Sequence, residues 1–150
     1  MWCIVLAANW LGCVLIAAGF VFAAVIPQEI AAEIVTFSGH LLELSPGTAF
    51  VHGIGAGFLI AALVWIMPSA EASKTFLIVA VTWLITVAGF THAVAGMVEI
   101  MVLVFSGKTD LAHGVFGLAP PILVGNILGG TFLFAALAYA QVHSELKGSR

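Results

Sequence analysis

The chain contains few charged residues. Its 150 residues include four Lys and Arg and seven Asp and Glu, so that 7% are charged and 63% are hydrophobic. A soluble domain carries roughly 25% charged residues, and a disordered chain combines low hydrophobicity with high net charge. The low charge and the mean hydropathy of +1.22 exclude both classes. A net charge of −3 without a basic stretch also argues against nucleic-acid binding. The composition indicates a membrane protein.

Cysteine is equally scarce. Cys3 and Cys13 are ten positions apart on one predicted helix, about 15 Å along its axis, which is too far for a disulfide between them. The histidines have no metal-ligand spacing, and the sequence contains no phosphate loop, nucleophile elbow or zinc motif. We therefore expect no cofactor, no metal site and no enzymatic activity.

Long runs without charge dominate the sequence. Each of them exceeds the ~20 residues that a helix needs to cross the hydrocarbon core of a membrane. We predict an all-α, polytopic membrane helix bundle that forms one transmembrane domain over the whole chain. The predicted spans cover approximately residues 2–26, 48–67, 75–105 and 121–142.

The few cations predict how these spans are oriented. With four crossings, Lys74, Lys147 and Arg150 lie on one side of the membrane and Lys108 lies on the other. The positive-inside rule places the first side, with both chain ends, in the cytoplasm. The acidic segment over residues 29–43, interpreted as a loop, is then expected to face outward.

The third span is unusually long, and Gly89 and Gly96 flank His92 near its middle. Glycine weakens a helix by up to ~1 kcal/mol relative to alanine. A break at membrane depth is tolerated only where the backbone is buried in protein or lines a cavity. We predict a helix break near residues 86–91. Close helix packing through small residues is the alternative interpretation.

His92 is the main candidate for function. An ionisable group in the middle of a span is costly and is a functional hypothesis by default. An imidazole can give or take a proton as an anion passes. The alternative is a neutral histidine that is hydrogen-bonded between helices, to Thr91 or to a backbone carbonyl. The neighbouring helix break favours the functional role.

Three further polar residues lie within apolar helices. Asn9 and Asn126 are predicted to form interhelical hydrogen bonds, worth on the order of 0.6–2 kcal/mol each. Their surroundings are similar, and three crossings separate them, which favours an inverted repeat. Glu99 lies seven residues after His92, on the same helix face. Glu99 is interpreted as a residue of the pore mouth, a structural hydrogen-bond acceptor or an interfacial residue. Because a carboxylate repels anions, we favour the last two.

Three ordered sequence elements resemble the formate/nitrite transporter family. The similarity covers nearly the whole chain and is greatest to a subgroup of bacterial inner-membrane proteins. It implies an aquaporin-like inverted-repeat fold with six spans, of which this chain contains the last four, and a homopentamer with one pore in each protomer. The three elements are Ala8-Asn9…Gly12, Thr91-His92-Ala93-Val94-Ala95-Gly96-Met97 and Gly125-Asn126-Ile127-Leu128-Gly129-Gly130.

The resemblance also implies a function and the residues that serve it. The implied function is a passive or proton-linked channel or transporter for small monovalent anions, such as formate, nitrite or hydrosulfide, in a bacterial inner membrane. A family histidine that faces the substrate path matches His92, and two apolar constriction residues match Ile85 and Ile60. Better-known members have an acidic residue and an asparagine at the positions of Thr91 and Gly96, so the resemblance does not define the anion. The predicted pore residues are His92, Thr91, Ile85, Ile60, Gly89 and Gly96.

Two other functional classes remain open from the sequence. A haem-binding membrane subunit would use His92 with His52 or His113 as axial ligands. In a non-conducting assembly subunit, the glycines and asparagines would only pack helices. Because only four family spans are represented, we expect either a fragment of a longer protein or a truncated product that does not conduct alone.

Overall fold

The computed structural model of the protein describes residues 1–23 and 25–148. Helices account for most of these residues, and no strand occurs within the described ranges. The predicted all-α helix bundle is therefore confirmed, whereas Arg150, used in the orientation prediction, lies outside the described residues. The α-helices are α1 (Trp2–Phe22), α2 (Gln28–Ser38), α3 (Pro46–Ile66), α4 (Lys74–Val87), α5 (Ala93–Phe105), α6 (Ala119–Ile127) and α7 (Phe134–Gly148).

Among the described residues, three helical segments are long and apolar enough to cross a membrane, namely Cys3–Phe22, Pro46–Ser69 and His113–His143. The third predicted span, for which a helix break was expected, consists of two shorter helices, α4 with 14 residues and α5 with 13. Each is about 20 Å long at 1.5 Å per residue, which is less than the ~30 Å of the hydrocarbon core. A single crossing by this part of the chain therefore needs both helices in succession.

The segment after α1 corrects the prediction of a loop over residues 29–43. It forms α2 and then a 3-10 turn, Gly39–Glu43. Pro27 immediately precedes the first turn of α2, where Glu29 interacts favourably with the helix dipole. The apolar side of this segment is buried: Leu41 belongs to the core, and α2 packs against α5. The acidic residues that suggested a loop lie on its exposed side.

The last helical segment begins before the predicted start at residue 121. Asp110 caps it, since its Oδ1 accepts the backbone N–H of His113 at 2.8 Å. This hydrogen bond lowers the pKa of the exposed Asp110 carboxyl. The helix then continues through α6 and α7 with two π-helical turns, His113–Leu118 and Leu128–Leu133. The first of these wider turns ends at Leu118, one residue before Pro120 and Pro121, which lack backbone donors.

The buried core lies around the second half of α5. Four consecutive residues of that helix, Ile100, Met101, Val102 and Leu103, are at most 4% exposed. They pack against α1 and α2. Many large apolar side chains elsewhere are exposed, Trp65 among them. An outer surface of this kind is suited to contact with lipid rather than with water.

The α3 and α6 helices cross with their backbones in direct contact. Gly53 and Gly57 of α3 face the backbone of α6, and Gly125 of α6 and Gly129 of the following π-helical turn face the backbone of α3. A methyl group at Gly53 would lie 2.7 Å from the carbonyl oxygen of Ile122, and one at Gly125 would overlap the backbone of α3. Both helices thus carry the spacing of small residues that lets membrane helices approach closely.

We expect Gly125→Ala to destabilise the full-length protein by about 2–3 kcal/mol, because the new methyl group meets backbone that cannot move aside. Thermal unfolding in detergent measures this effect. Gly12→Ala is the matched control, since no atom lies within 4 Å of the added methyl group. The control should be neutral or stabilising by up to about 1 kcal/mol. Equal effects of the two substitutions would contradict the close crossing.

Candidate functional site

The break between α4 and α5 begins with a Schellman motif. The Gly89 N–H donates to the Thr86 carbonyl at 3.1 Å, and the Phe90 N–H donates to the Ile85 carbonyl at 2.9 Å. Gly89 has a φ of +67°, a left-handed conformation that glycine adopts without the steric cost of a side chain. The glycine therefore ends α4 and turns the chain towards His92.

The N-terminus of α5 follows directly after His92. This residue is the N-cap of the helix, and its carbonyl accepts the Gly96 N–H at 2.7 Å. The first backbone N–H of α5 that has no partner within the helix belongs to Ala93, and it donates to Oδ1 of Asn126 in α6 at 3.0 Å. The next two amides of the first turn lack acceptors within the helix. The helix thus presents partial positive charge at the break.

Asn126 connects the break to two other helices. Its side-chain amide donates to the Thr91 carbonyl at 2.9 Å and to the Gly53 carbonyl of α3 at 3.1 Å. It also lies 3.0 Å from the Ile122 carbonyl, one turn earlier in α6. Together with the bond to Ala93, this side chain holds the backbone on both sides of His92. Backbone groups freed at membrane depth must be satisfied by protein, and Asn126 satisfies two of them.

The His92 side chain lies at this junction and is half-buried. Among the residues that the structure describes, none forms a hydrogen bond with its ring. The imidazole is thus adjacent to a helix N-terminus and can still bond a ligand. An anion placed there would meet a donor group and a favourable helix dipole together.

Two predicted pore residues face protein within this chain. Thr91 is only 4% exposed, and its hydroxyl donates to the Ala49 carbonyl of α3 at 3.4 Å. Gly96 is buried on α5, where a methyl group would lie 3.6 Å from Cδ1 of Ile122. Both residues therefore contribute to helix packing around the break.

The two predicted constriction residues lie on different helices. Ile85 is buried near the end of α4, and its carbonyl takes part in the Schellman motif. Ile60 is half-buried on α3. Their positions one helix apart are compatible with a shared apolar surface, and their role as a constriction stays a prediction.

Asn9 and Glu99 have surroundings that differ from those of Asn126. Asn9 is exposed on α1 and forms no hydrogen bond with a described residue, so the predicted interhelical bond is not made within this part of the chain. Glu99 lies on α5, with its Oε2 3.8 Å from Nδ1 of His40. Asn126, by contrast, forms hydrogen bonds with Gly53 of α3, with Ala93 of α5 and with Thr91 in the break.

Two features near the site were not predicted from the sequence. The first is the close contact of α3 with α6, although the four-residue spacing of Gly53 and Gly57 was a visible signal for it. The second is the proximity of His40 and Glu99, for which the sequence carries no signal because it depends on the packing of α2. No group of three or more potential metal ligands occurs within residues 1–23 and 25–148.

These features define a class of protein: a polytopic α-helical membrane protein with a broken helix at the centre of its site. Comparison with known proteins adds the family. The formate/nitrite transporter profile matches residues 1–140. Inner membrane protein YfdC of Escherichia coli (strain K12) is 36% identical over 150 residues, which are 100% of this chain and 48% of that protein. The chain belongs to the formate/nitrite transporter family.

A second relative supports the same assignment. The uncharacterized transporter YrhG of Bacillus subtilis (strain 168) is 26% identical over 106 residues, which are 69% of this chain and 40% of that protein. The resemblance seen in the sequence, including that to the YfdC-like subgroup, is thereby confirmed. The chain spans less than half the length of these curated relatives. No solved structure is significantly similar to it.

Proposed function

We propose that this chain is part of a membrane channel or transporter for small monovalent anions, such as formate, nitrite or hydrosulfide, and that His92 lies in the anion path. The observation that carries the proposal is the broken helix, which brings a half-buried imidazole and a helix N-terminus to one point. Half-helix N-termini that face anionic groups are a recurrent device in transporters. Membership of a transporter family supports the same conclusion.

In the proposed mechanism, an anion leaves bulk water and passes an apolar constriction near Ile60 and Ile85. It then meets His92, where a positive charge offsets the cost of its dehydration. If the imidazolium transfers its proton, the anion crosses as the neutral acid and His92 is left neutral until it regains a proton. If the proton stays on the ring, the anion passes as an ion. Neither route forms or breaks a covalent bond to the protein other than N–H.

The proposal concerns the whole protein, since the chain spans less than half of its relatives. We place it in a bacterial inner membrane with its C-terminus in the cytoplasm. The assembly we propose has an aquaporin-like fold with six spans, built as an inverted repeat, and five protomers. The name of the relative from Escherichia coli supports the location, and the family supports the transport role.

Uptake into proteoliposomes tests the proposed function. The full-length protein should take up at least one of formate, nitrite and hydrosulfide faster than empty vesicles do, with uptake that saturates or depends on pH. A membrane protein of another family, reconstituted at the same density, controls for leakage. Rates equal to those of empty vesicles for all three anions would overturn the proposal.

A further inference from the structure

Glu99 and His40 form an ionisable pair away from the break. Glu99 lies on α5, its side chain is 21% exposed, and its Oε2 is buried without a hydrogen-bond partner. The nearest ionisable group is His40, with 3.8 Å between its Nδ1 and Oε2 of Glu99. A largely buried carboxylate is costly unless it is paired with a cation or holds a proton. The stability of the contact between Glu99 and His40 therefore depends on whether each of the two side chains is protonated.

His40 is the more exposed member of the pair. It belongs to the 3-10 turn after α2, and 38% of its side chain is exposed. Its Nδ1 lies 2.8 Å from the Phe37 carbonyl oxygen. Because a carbonyl only accepts hydrogen bonds, Nδ1 carries a hydrogen in this bond. The same Nδ1 lies 3.8 Å from Oε2 of Glu99 without a hydrogen bond to it.

No other cationic group lies within 4 Å of the Glu99 carboxylate in the part of the chain that the structure describes. The α1 helix contributes the Cys13 thiol, which donates to the Val94 carbonyl at 3.3 Å. The α6 helix has no titratable side chain. The remaining titratable groups on elements near α5 make no ion pair with Glu99 in this part of the chain, and they are Cys3, Glu29, Glu33, Glu43, His92, Lys108 and His113.

We propose that His40 and Glu99 form a proton-binding site, separate from His92, that joins the α2 segment to α5 in one protonation state. When Glu99 is ionised and His40 is protonated, opposite charges attract across the contact. When either group is neutral, that attraction is lost. Because His92 begins the helix that carries Glu99, a change in this contact alters the packing of α5 against the α2 segment and thereby the surroundings of His92. The effect of this pair on transport rests on the proposed function. The existence of the proton-binding pair does not.

A double-mutant cycle in the full-length protein tests the pair without any transport measurement. Glu99→Gln, His40→Gln and the double variant are compared by thermal unfolding in detergent between about pH 5 and pH 9. We expect coupling at mildly acidic pH, where a carboxylate and an imidazolium coexist, and its disappearance at alkaline pH. A control cycle of Glu33→Gln with His113→Gln, both exposed, should show none.

Two results of the cycle would overturn the proton site: no coupling at any pH, or equal coupling at every pH. If Glu99→Gln does not fold, His40→Gln alone is compared with the parent, and its loss of stability should appear at mildly acidic pH and vanish at alkaline pH. In proteoliposomes, Glu99→Gln and His40→Gln should each change the same limb of the pH profile of uptake several-fold. An unchanged profile in both variants would overturn the role in transport. Absence of uptake by the parent would refute the proposed function. The double-mutant cycle would still show whether Glu99 and His40 form a proton-binding site.

Discussion

Replacing His92 by alanine in the full-length protein should lower anion uptake into proteoliposomes at least tenfold. A unit charge 4 Å from an anion contributes about 4 kcal/mol at an effective dielectric constant of 20. A tenfold loss of rate corresponds to about 1.4 kcal/mol. Because this is smaller than the interaction energy of the imidazolium with the anion, tenfold is the smallest loss that we expect. The N-terminus of α5 remains in the variant and accounts for any residual uptake.

The measurement covers about pH 5 to pH 8, where a histidine changes its charge. His113→Ala is the matched control, because His113 is exposed at the start of the last helical segment and should leave the rate unchanged. His92→Gln separates polarity from charge, since it keeps a hydrogen-bond donor but cannot be protonated. Uptake by His92→Ala that equals the rate of the parent would show that the imidazole only supports the structure.

The position of the helix break was predictable because its cause is local. Gly89 is followed by residues that cannot extend α4 once the glycine adopts a positive φ, and the helix resumes after His92. The sequence therefore indicated the break to within a few residues. The fold class was predictable as well. The low charge excludes a soluble domain, and apolar runs of this length cross a membrane as helices.

The partners of the polar residues were not predictable, because they depend on how the helices pack. Asn9 and Asn126 occupy similar apolar surroundings in the sequence, yet Asn9 is exposed and Asn126 makes several interhelical bonds. What separates them is the helix face on which each lies relative to its neighbours. The α2 segment was misread for the same reason: its acidic residues dominate its composition, whereas Leu41 anchors it in the core.

Replacing Asn126 by leucine should destabilise the full-length protein by about 2–3 kcal/mol. Hydrogen bonds between membrane helices average about 0.6 kcal/mol and reach about 1.7 kcal/mol, and this substitution leaves three interhelical ones unmade. The Ala93 N–H and the Thr91 and Gly53 carbonyls lose their partner. Uptake should also fall, because the lost bonds hold the backbone on both sides of His92.

Thermal unfolding in detergent measures the effect, and Asn9→Leu provides a control with the same chemical change. Asn9 is exposed and forms no hydrogen bond with a described residue, so its replacement should be close to neutral within this part of the chain. A similar loss of stability in both variants would contradict the role assigned to Asn126.

Asn126→Asp distinguishes the two functions of the side chain. An aspartate can still accept the Ala93 N–H, but its ionised carboxylate cannot donate to the Thr91 and Gly53 carbonyls and would instead face two acceptor oxygens. We therefore expect it to be at least as disruptive as leucine, although it retains the helix cap. An aspartate variant with the stability and uptake of the parent would mean that capping α5 is sufficient to position His92. It would also mean that the bonds to α3 and to Thr91 are dispensable.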